Sequence, residues 1–161
     1  MNTLKEFELL LLRPLEIEIT AISIENESQE YDALQFSLND SIVIHRTAKQ
    51  TPKKNGQFVT CWRRNNVGFT CPFHQTDEFD FFFIQIKKEN KLGLFIFPKA
   101  VLIDRNIVST TNKIGKRGFR VYPPWDIPTS KQAIETQNWQ LAYFVNLRDL
   151  DFEKAKNLCM L

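Results

Sequence analysis

Residues 79–87 read FDFFFIQIK, and together with residues 92–97, LGLFIF, they decide the fold. Both runs are short and nearly continuously apolar, and the turn-forming residues Glu89, Asn90 and Lys91 lie between them. Runs of this kind are typical of strands that bury both faces. We therefore predict that the two strands pair at the centre of a sheet, with helices packed on each side.

Further strands are predicted on the N-terminal side of this pair. Apolar and polar residues alternate over residues 15–19 and 34–38, a pattern that indicates strands with one solvated face, and Ile42 and Ile44 belong to a further strand. The short Asn39-Asp40 connection favours a β-hairpin between the last two. Residues 57–62 form a further strand, so the loop that precedes it is held between two strands.

Helices are predicted near both ends of the chain and after the central strands. They cover residues 3–13, 98–106, 129–147 and 151–161. Thr3 is the expected N-cap of the first helix, Glu6 occupies the capping-box position, and Pro14 ends it. The fold class is therefore α/β: one domain, residues 1–161, with a central mixed β-sheet flanked by helices.

Composition points to an ordinary globular protein. The 161 residues are 43% apolar and 25% charged. The longest apolar run falls far short of the roughly 18 residues that cross a bilayer, so no membrane insertion is expected. Lys5, Glu6 and Glu8 interrupt any secretory signal. The three cysteines are an odd number, which fits reduced thiols, and we expect a cytoplasmic location.

The formal net charge of +2 conceals a strong asymmetry along the chain. Residues 1–44 carry nine acidic and two basic side chains, a net of −7, whereas residues 45–120 carry five acidic and fifteen basic, a net of +10. Residues 121–161 have a net of −1. The middle third would attract a polyanion. The alternative is that the acidic N-terminal third neutralises it within the fold.

Two basic loops indicate nucleic-acid binding. Residues 46–64, RTAKQTPKKNGQFVTCWRR, contain six Lys or Arg and no acidic residue, and residues 112–120, NKIGKRGFR, form a second loop. Lys and Arg neutralise phosphates, and exposed aromatic rings stack on unpaired bases. The candidate nucleic-acid-binding residues are Arg46, Lys49, Lys53, Lys54, Arg63, Arg64, Lys116, Arg117 and Arg120, with Trp62 and Tyr122 as candidates for stacking.

Zinc-binding residues are too few for a site. Cys61, Cys71 and His74 would need a fourth ligand, and Cys71-x-x-His74 is only half of a zinc signature. We therefore predict no metal site from these residues.

A metal-dependent nuclease remains as an alternative function. Such an enzyme gathers carboxylates around Mg²⁺, with a lysine near the attacking water. Asp80, Gln85 and Lys87 are the available candidates, but alternation along one strand places Asp80 on the opposite face from the other two. No cofactor is expected unless this alternative holds, in which case the cofactor would be Mg²⁺.

Several long motifs, in order, resemble the MepB-like family, small bacterial proteins named for the third product of a multidrug-efflux operon that also encodes a repressor and a transporter. The motifs are AKQTPKKNGQFVTCWRR at 48–64, FDFFFIQIK at 79–87, LFIFPKAVL at 94–102, GKRGFRVYPPW at 115–125 and KQAIETQNWQ at 131–140. The resemblance covers about residues 31–147.

The resemblance implies a fold similar to the tRNA-endonuclease and PD-(D/E)XK nuclease class. The strands that would carry the catalytic acids of that class read SIVIHRTAK and QFVTCWRR here, and neither contains a carboxylate. Mg²⁺ would then lack anchoring oxygens. We expect a non-catalytic protein that binds DNA or RNA through the phosphate backbone, largely independently of sequence, and is accessory to an efflux or stress-response system. A protein–protein interaction module of that system is a further alternative.

Overall fold

The structure, a computed structural model, describes residues 2–159, with side chains from Leu4 onward. Over this range the chain forms the helices α1 (Asn2–Phe7), α2 (Lys99–Asp104), α3 (Lys131–Gln140) and α4 (Phe152–Leu158). Its strands are β1 (Ile19–Ile24), β2 (Leu34–Leu38), β3 (Ser41–Thr47), β4 (Lys49–Gln50), β5 (Gln57–Thr60), β6 (Trp62–Arg64), β7 (Thr70–Pro72), β8 (Phe81–Lys88), β9 (Lys91–Pro98), β10 (Gly118–Val121) and β11 (Phe144–Asn146).

A six-stranded mixed sheet organises the molecule, in the order β1-β2-β3-β8-β9-β11. The pair β3 and β8 is parallel, with Val43 opposite Phe81, and the other neighbours are antiparallel. The strands β8 and β9 lie in its interior and pair along their full length, as their apolar sequences predict. The predicted α/β class with a mixed sheet flanked by helices is confirmed.

Both faces of the sheet are buried at its central strands, each in its own hydrophobic core, whereas the edge strand β1 is largely exposed. On one face the ring of Phe7 from α1 lies 5.9 Å from the rings of Phe36 and Phe83, and α4 completes the cover. On the other face Phe82, Phe95 and Phe97 pack beneath α2, α3 and a smaller sheet. The alternation of side chains along each strand separates the two cores.

Two smaller sheets lie on the second face. One has the order β10-β5-β4, and Val59 and Val121 carry its apolar side into the core. The other is a two-stranded ribbon, β6 and β7, that begins directly after Cys61. The two basic loops identified in the sequence belong to these sheets, so they are held by strands.

Several element predictions differ from the structure. The strand predicted over residues 57–62 is interrupted at Cys61, and its two parts, β5 and β6, belong to different sheets. The first strand begins at Ile19 and not at Leu15, because the positive φ of Glu16 breaks the extended backbone. Helix α3 ends at Gln140 and not near Leu147, because residues 144–146 pair with β9 instead. Part of the second basic loop is strand β10.

At the chain ends, the side chain of the predicted N-cap Thr3 lies outside the described residues. Residues 160 and 161 of the last predicted helix also lie outside them. Within residues 2–159, no helix is both long enough and apolar enough to cross a bilayer.

Candidate nucleic-acid interface

A cleft of about 440 Å³ opens on the surface between strand β10 and helix α3. Four cationic side chains line it, Lys54, Arg105, Lys116 and Arg120, and no carboxylate does. The remaining lining is uncharged, with aliphatic, aromatic and polar side chains: Ile107, Phe119, Tyr122, Ser130, Gln132, Ala133, Thr136, Trp139 and Gln140. The cleft therefore has the electrostatic character of an anion-binding site.

Lys54 enters the cleft from the turn between β4 and β5. Gly56 has a φ of +75°, and a Cβ atom there would lie 2.7 Å from the Tyr122 ring. The turn thus needs glycine both for its backbone conformation and for its close contact with β10. Arg120 fastens the same turn, since its guanidinium donates hydrogen bonds to the Asn55 carbonyl at 3.1 Å and to the Thr51 hydroxyl.

Lys116 enters from the loop that follows α2. Its backbone N–H donates to the Ile107 carbonyl at 2.9 Å, and the neighbouring Gly115 N–H donates to the Ser109 hydroxyl at 2.7 Å. A Cβ on Gly115 would lie 2.1 Å from the Ile107 oxygen, so the loop can pack here only with glycine. These contacts place Lys116 beside the segment that carries Arg105.

The opposite wall is α3, which Gln140 attaches to β10. The Gln140 side chain is fully buried; its Oε1 accepts from the Tyr122 N–H at 2.8 Å and its Nε2 donates to the Arg120 carbonyl at 2.9 Å. At the other end, the Ser130 hydroxyl caps the helix by accepting from the Ala133 N–H at 3.1 Å.

A smaller cavity of about 230 Å³ continues the cleft along the start of α3. It shares Lys54 and Arg120 with the larger one and adds Lys53, and again no carboxylate lines it. Five cations from both basic loops and from the end of α2 therefore border one continuous groove, which we call the cationic cleft: Lys53, Lys54, Arg105, Lys116 and Arg120.

Comparison with known proteins places the chain in a family. The sequence model of the MepB-like family matches residues 25–146, more than half of the chain. The chain belongs to the MepB-like family. It is similar to the crystal structure of MepB, with 35% identity and a TM-score of 0.81 over 88% of this chain and 97% of that one.

A second solved structure is more distant from this MepB-like chain. A bacterial homing endonuclease matches with 15% identity and a TM-score of 0.48, over 87% of each chain. No protein of curated function matches significantly.

Arg46 corrects the candidate set of this MepB-like chain. Its side chain has no exposed surface: Nη2 lies 2.8 Å from a Glu25 carboxylate oxygen, and Nη1 donates to the His45 carbonyl at 2.9 Å. The guanidinium also lies over the ring of Phe82, 5.7 Å from its centroid. A group buried in this way cannot reach a phosphate.

Four other predicted cations lie outside the cationic cleft. Lys49 lies over the ring of Tyr31 at 4.9 Å, and Arg117 donates to the Thr70 carbonyl at 2.9 Å. Arg63 and Arg64 form ion pairs with Asp77 at 2.6 Å and Glu27 at 2.7 Å, respectively. The hydrogen bond to Asp77 raises the pKa of the Arg63 guanidinium.

The aromatic candidates are less exposed than stacking requires. Tyr122 is 8% exposed and packs on Gly56, so little of its ring is available to a base. Trp62 is half-buried, and the Arg64 guanidinium covers its ring at 5.5 Å.

One cationic residue of the cleft, Arg105, was not among the predicted residues. It is isolated in sequence from both basic loops, and its guanidinium lies 5.1 Å from the centroid of the Trp139 ring. The sequence around Arg105 contains no pattern that indicates a binding residue, because only the fold brings the short helix before it to the basic loops.

The residues of the nuclease alternative do not form one site. Asp80 precedes β8 and accepts from the Ile42 N–H at 2.8 Å, whereas Lys87 lies near the far end of β8, 3.7 Å from Glu6. Seven residues of strand separate Asp80 and Lys87 by about 23 Å. Gln85 is buried, with its Oε1 atom 3.4 Å from His45 Nε2.

The cysteines are unpaired thiols, and two of them are buried. Burial raises the pKa of Cys61 and of Cys159 to about 12, which disfavours the thiolate that binds metals. Across residues 2–159, no three or more His, Cys, Asp or Glu side chains lie close enough together to hold a metal ion.

Proposed function

We propose that this MepB-like protein binds nucleic acid through the phosphate backbone in the cationic cleft, without hydrolysing it. The observation that carries the proposal is the lining of the cleft: Lys54, Arg105, Lys116 and Arg120, with no carboxylate among them. Lysine and arginine neutralise phosphates and release condensed counterions, which supplies most of the affinity of non-specific binding.

The geometry favours backbone contact over base reading. Arg120 uses part of its guanidinium to hold the turn at Asn55. Its contribution to ligand binding is therefore its positive charge more than free N–H donors. Contacts to phosphates fix the position of a nucleic acid but carry no sequence information. We therefore expect DNA or RNA to bind with little dependence on sequence.

The biological setting is part of the same proposal. A role beside a multidrug-efflux or stress-response system is suggested by the family resemblance, and a cytoplasmic location would give access to nucleic acid. Nuclease activity is less favoured, because Asp80 and Lys87 lie near opposite ends of β8.

Binding can be tested by fluorescence anisotropy with labelled single-stranded and duplex DNA, and with RNA, over a salt series. About four phosphate contacts predict a slope of log K against log salt of roughly −3 to −4. Lys54→Ala and Lys116→Ala should each weaken binding on every sequence and reduce the slope by about one.

Lys156→Ala is the matched control, because this exposed lysine lies on α4, on the opposite face of the sheet. Absence of a complex at micromolar protein and ~50 mM salt would contradict the proposal. An equal loss for Lys156→Ala would show that the cleft has no special role. Incubation of the labelled strands with Mg²⁺ or Mn²⁺ should leave their length unchanged.

A further inference from the structure

The ribbon formed by β6 and β7 ends in an uncovered apolar tip. Val67 is 76% exposed and Phe69 is 70% exposed, although large aromatic side chains are usually buried. Neither residue lines the cationic cleft. These two neighbouring apolar side chains project from one turn and form a surface that contributes nothing to the hydrophobic core.

The tip is held in a fixed shape beneath these side chains. The Asn65 Oδ1 atom accepts from the N–H groups of Val67 at 3.1 Å and Phe69 at 3.0 Å. Arg64 donates to the Gly68 carbonyl at 2.9 Å, and the φ of Gly68 is +91°. Because the backbone is already ordered, a ligand that contacts Phe69 would meet a preformed platform with little further loss of entropy.

The ribbon is joined to the cationic cleft through one loop. Lys116 lines the cleft, and the next residue, Arg117, donates from its guanidinium to the Thr70 carbonyl of β7 at 2.9 Å. The Arg117 carbonyl in turn accepts from the Cys61 N–H, at the base of the ribbon, at 2.9 Å. A chain of phosphates that leaves the cleft past Lys116 would therefore pass beside the ribbon.

We propose that Phe69 stacks on an unpaired base of a single strand whose phosphates lie in the cationic cleft. This inference rests on the proposed function and specifies its ligand as single-stranded nucleic acid. Every base presents an aromatic face to such a platform, so stacking adds affinity without sequence dependence. The bases of a duplex are already stacked on one another and cannot use it.

Charge favours this partner over a lipid surface. The arginines at the root of the ribbon are paired, Arg63 with Asp77 and Arg64 with Glu27, so the ribbon itself is nearly neutral. Attraction to an anionic membrane needs several unpaired cations around the apolar tip. Lys54 and Lys116, which form no ion pair, lie in the cleft and not at this tip.

The test compares Phe69→Ala with Phe152→Ala, which makes the same change at an exposed phenylalanine on α4. Binding is measured by anisotropy with a labelled single strand of about 20 nucleotides and with its duplex. Phe69→Ala should weaken single-strand binding by roughly 5- to 100-fold and change duplex binding less than about 2-fold. Phe152→Ala should leave both unchanged.

Phe69→Trp supplies a second readout. It should keep the affinity for the single strand, and the added indole should be quenched when a base stacks on it. Unchanged single-strand binding in Phe69→Ala, or an equal loss on single strand and duplex, would overturn the inference. The inference would also be overturned if Phe69→Ala weakened binding to anionic phospholipid vesicles and did not discriminate between single strand and duplex. If the unsubstituted protein binds neither strand form, the proposed function itself fails.

Discussion

The buried guanidinium of Arg46 depends on Glu25 for its charge balance. It has no exposed surface, and its Nε atom has no hydrogen-bond partner among the described residues. Removal of one member of such a pair leaves an uncompensated charge in a medium that solvates it poorly. Charged side chains are almost never fully buried, so the sequence predicts that Arg46 lies on the surface with its basic neighbours.

Two equivalent substitutions two residues apart test this dependence. Glu25→Gln should lower the free energy of unfolding by about 2–4 kcal/mol, because Arg46 loses its counter-ion inside the protein. Glu27→Gln should cost less than about 1 kcal/mol, because both members of its pair with Arg64 face solvent. Urea denaturation of the two variants measures the difference. Equal effects would contradict the interior role of Arg46.

His45, the neighbour of Arg46, makes stability depend on pH. Burial, its largest influence, and the charge of Arg46 lower its pKa to about 4, although hydrogen bonds to the Asp32 carbonyl and to Gln85 act in the opposite direction. The ordinary pKa is about 6.5, so between these values the unfolded chain binds a proton that the folded chain excludes.

Stability should therefore fall as the pH falls from about 6.5 to about 4. When the pH falls from 7 to 5, protonation of His45 in the unfolded chain should lower the free energy of unfolding by about 2 kcal/mol. His45→Gln should remove that component, so that the stabilities of the two proteins converge on acidification. Urea titrations at both pH values provide the measurement. A constant difference between the two proteins would argue against a neutral buried His45.

At the scale of elements, the pattern of apolar and turn-forming residues predicted the segments whose own sequence favours one structure. The run of phenylalanines in β8 gave the centre of the sheet, and the Asn39-Asp40 turn gave the β2–β3 hairpin. Strand β11 could not be predicted, because residues 144–146 continue a helix-compatible sequence and become a strand only by pairing with β9. The cleft likewise depends on Arg105, which the fold alone brings to the basic loops.

Gln140 shows how one such element is fixed in place. Its amide satisfies both the Tyr122 N–H and the Arg120 carbonyl, and so attaches α3 to β10. Gln140→Ala should lower the free energy of unfolding by about 2–4 kcal/mol, because it leaves two backbone groups unpaired beside a cavity. Gln132→Ala, on the exposed side of the same helix, should change it by less than about 0.5 kcal/mol. Thermal or urea unfolding compares the two.

At the scale of the whole molecule, the positive charge of the middle third includes two groups with different surroundings. One group is neutralised by the acidic N-terminal third, as Arg46 pairs with Glu25 and Arg64 pairs with Glu27. The other group, which includes Lys54 and Lys116, borders the cationic cleft. Neutralisation by the acidic N-terminal third therefore applies to the first group, and neither composition nor net charge could separate the two groups.

The parallel pairing of β3 and β8 has a consequence for the order of folding. Residues 48–80 lie between these two strands, and they include β4 to β7, with Lys53, Lys54 and the ribbon. The two strands can meet only after this long segment closes as a loop, and non-local closures of this kind slow folding. The hairpins β2–β3 and β8–β9 have short connections and can form early. On this view, the turn and ribbon between β3 and β8 reach their final places late, after the sheet that supports them has closed.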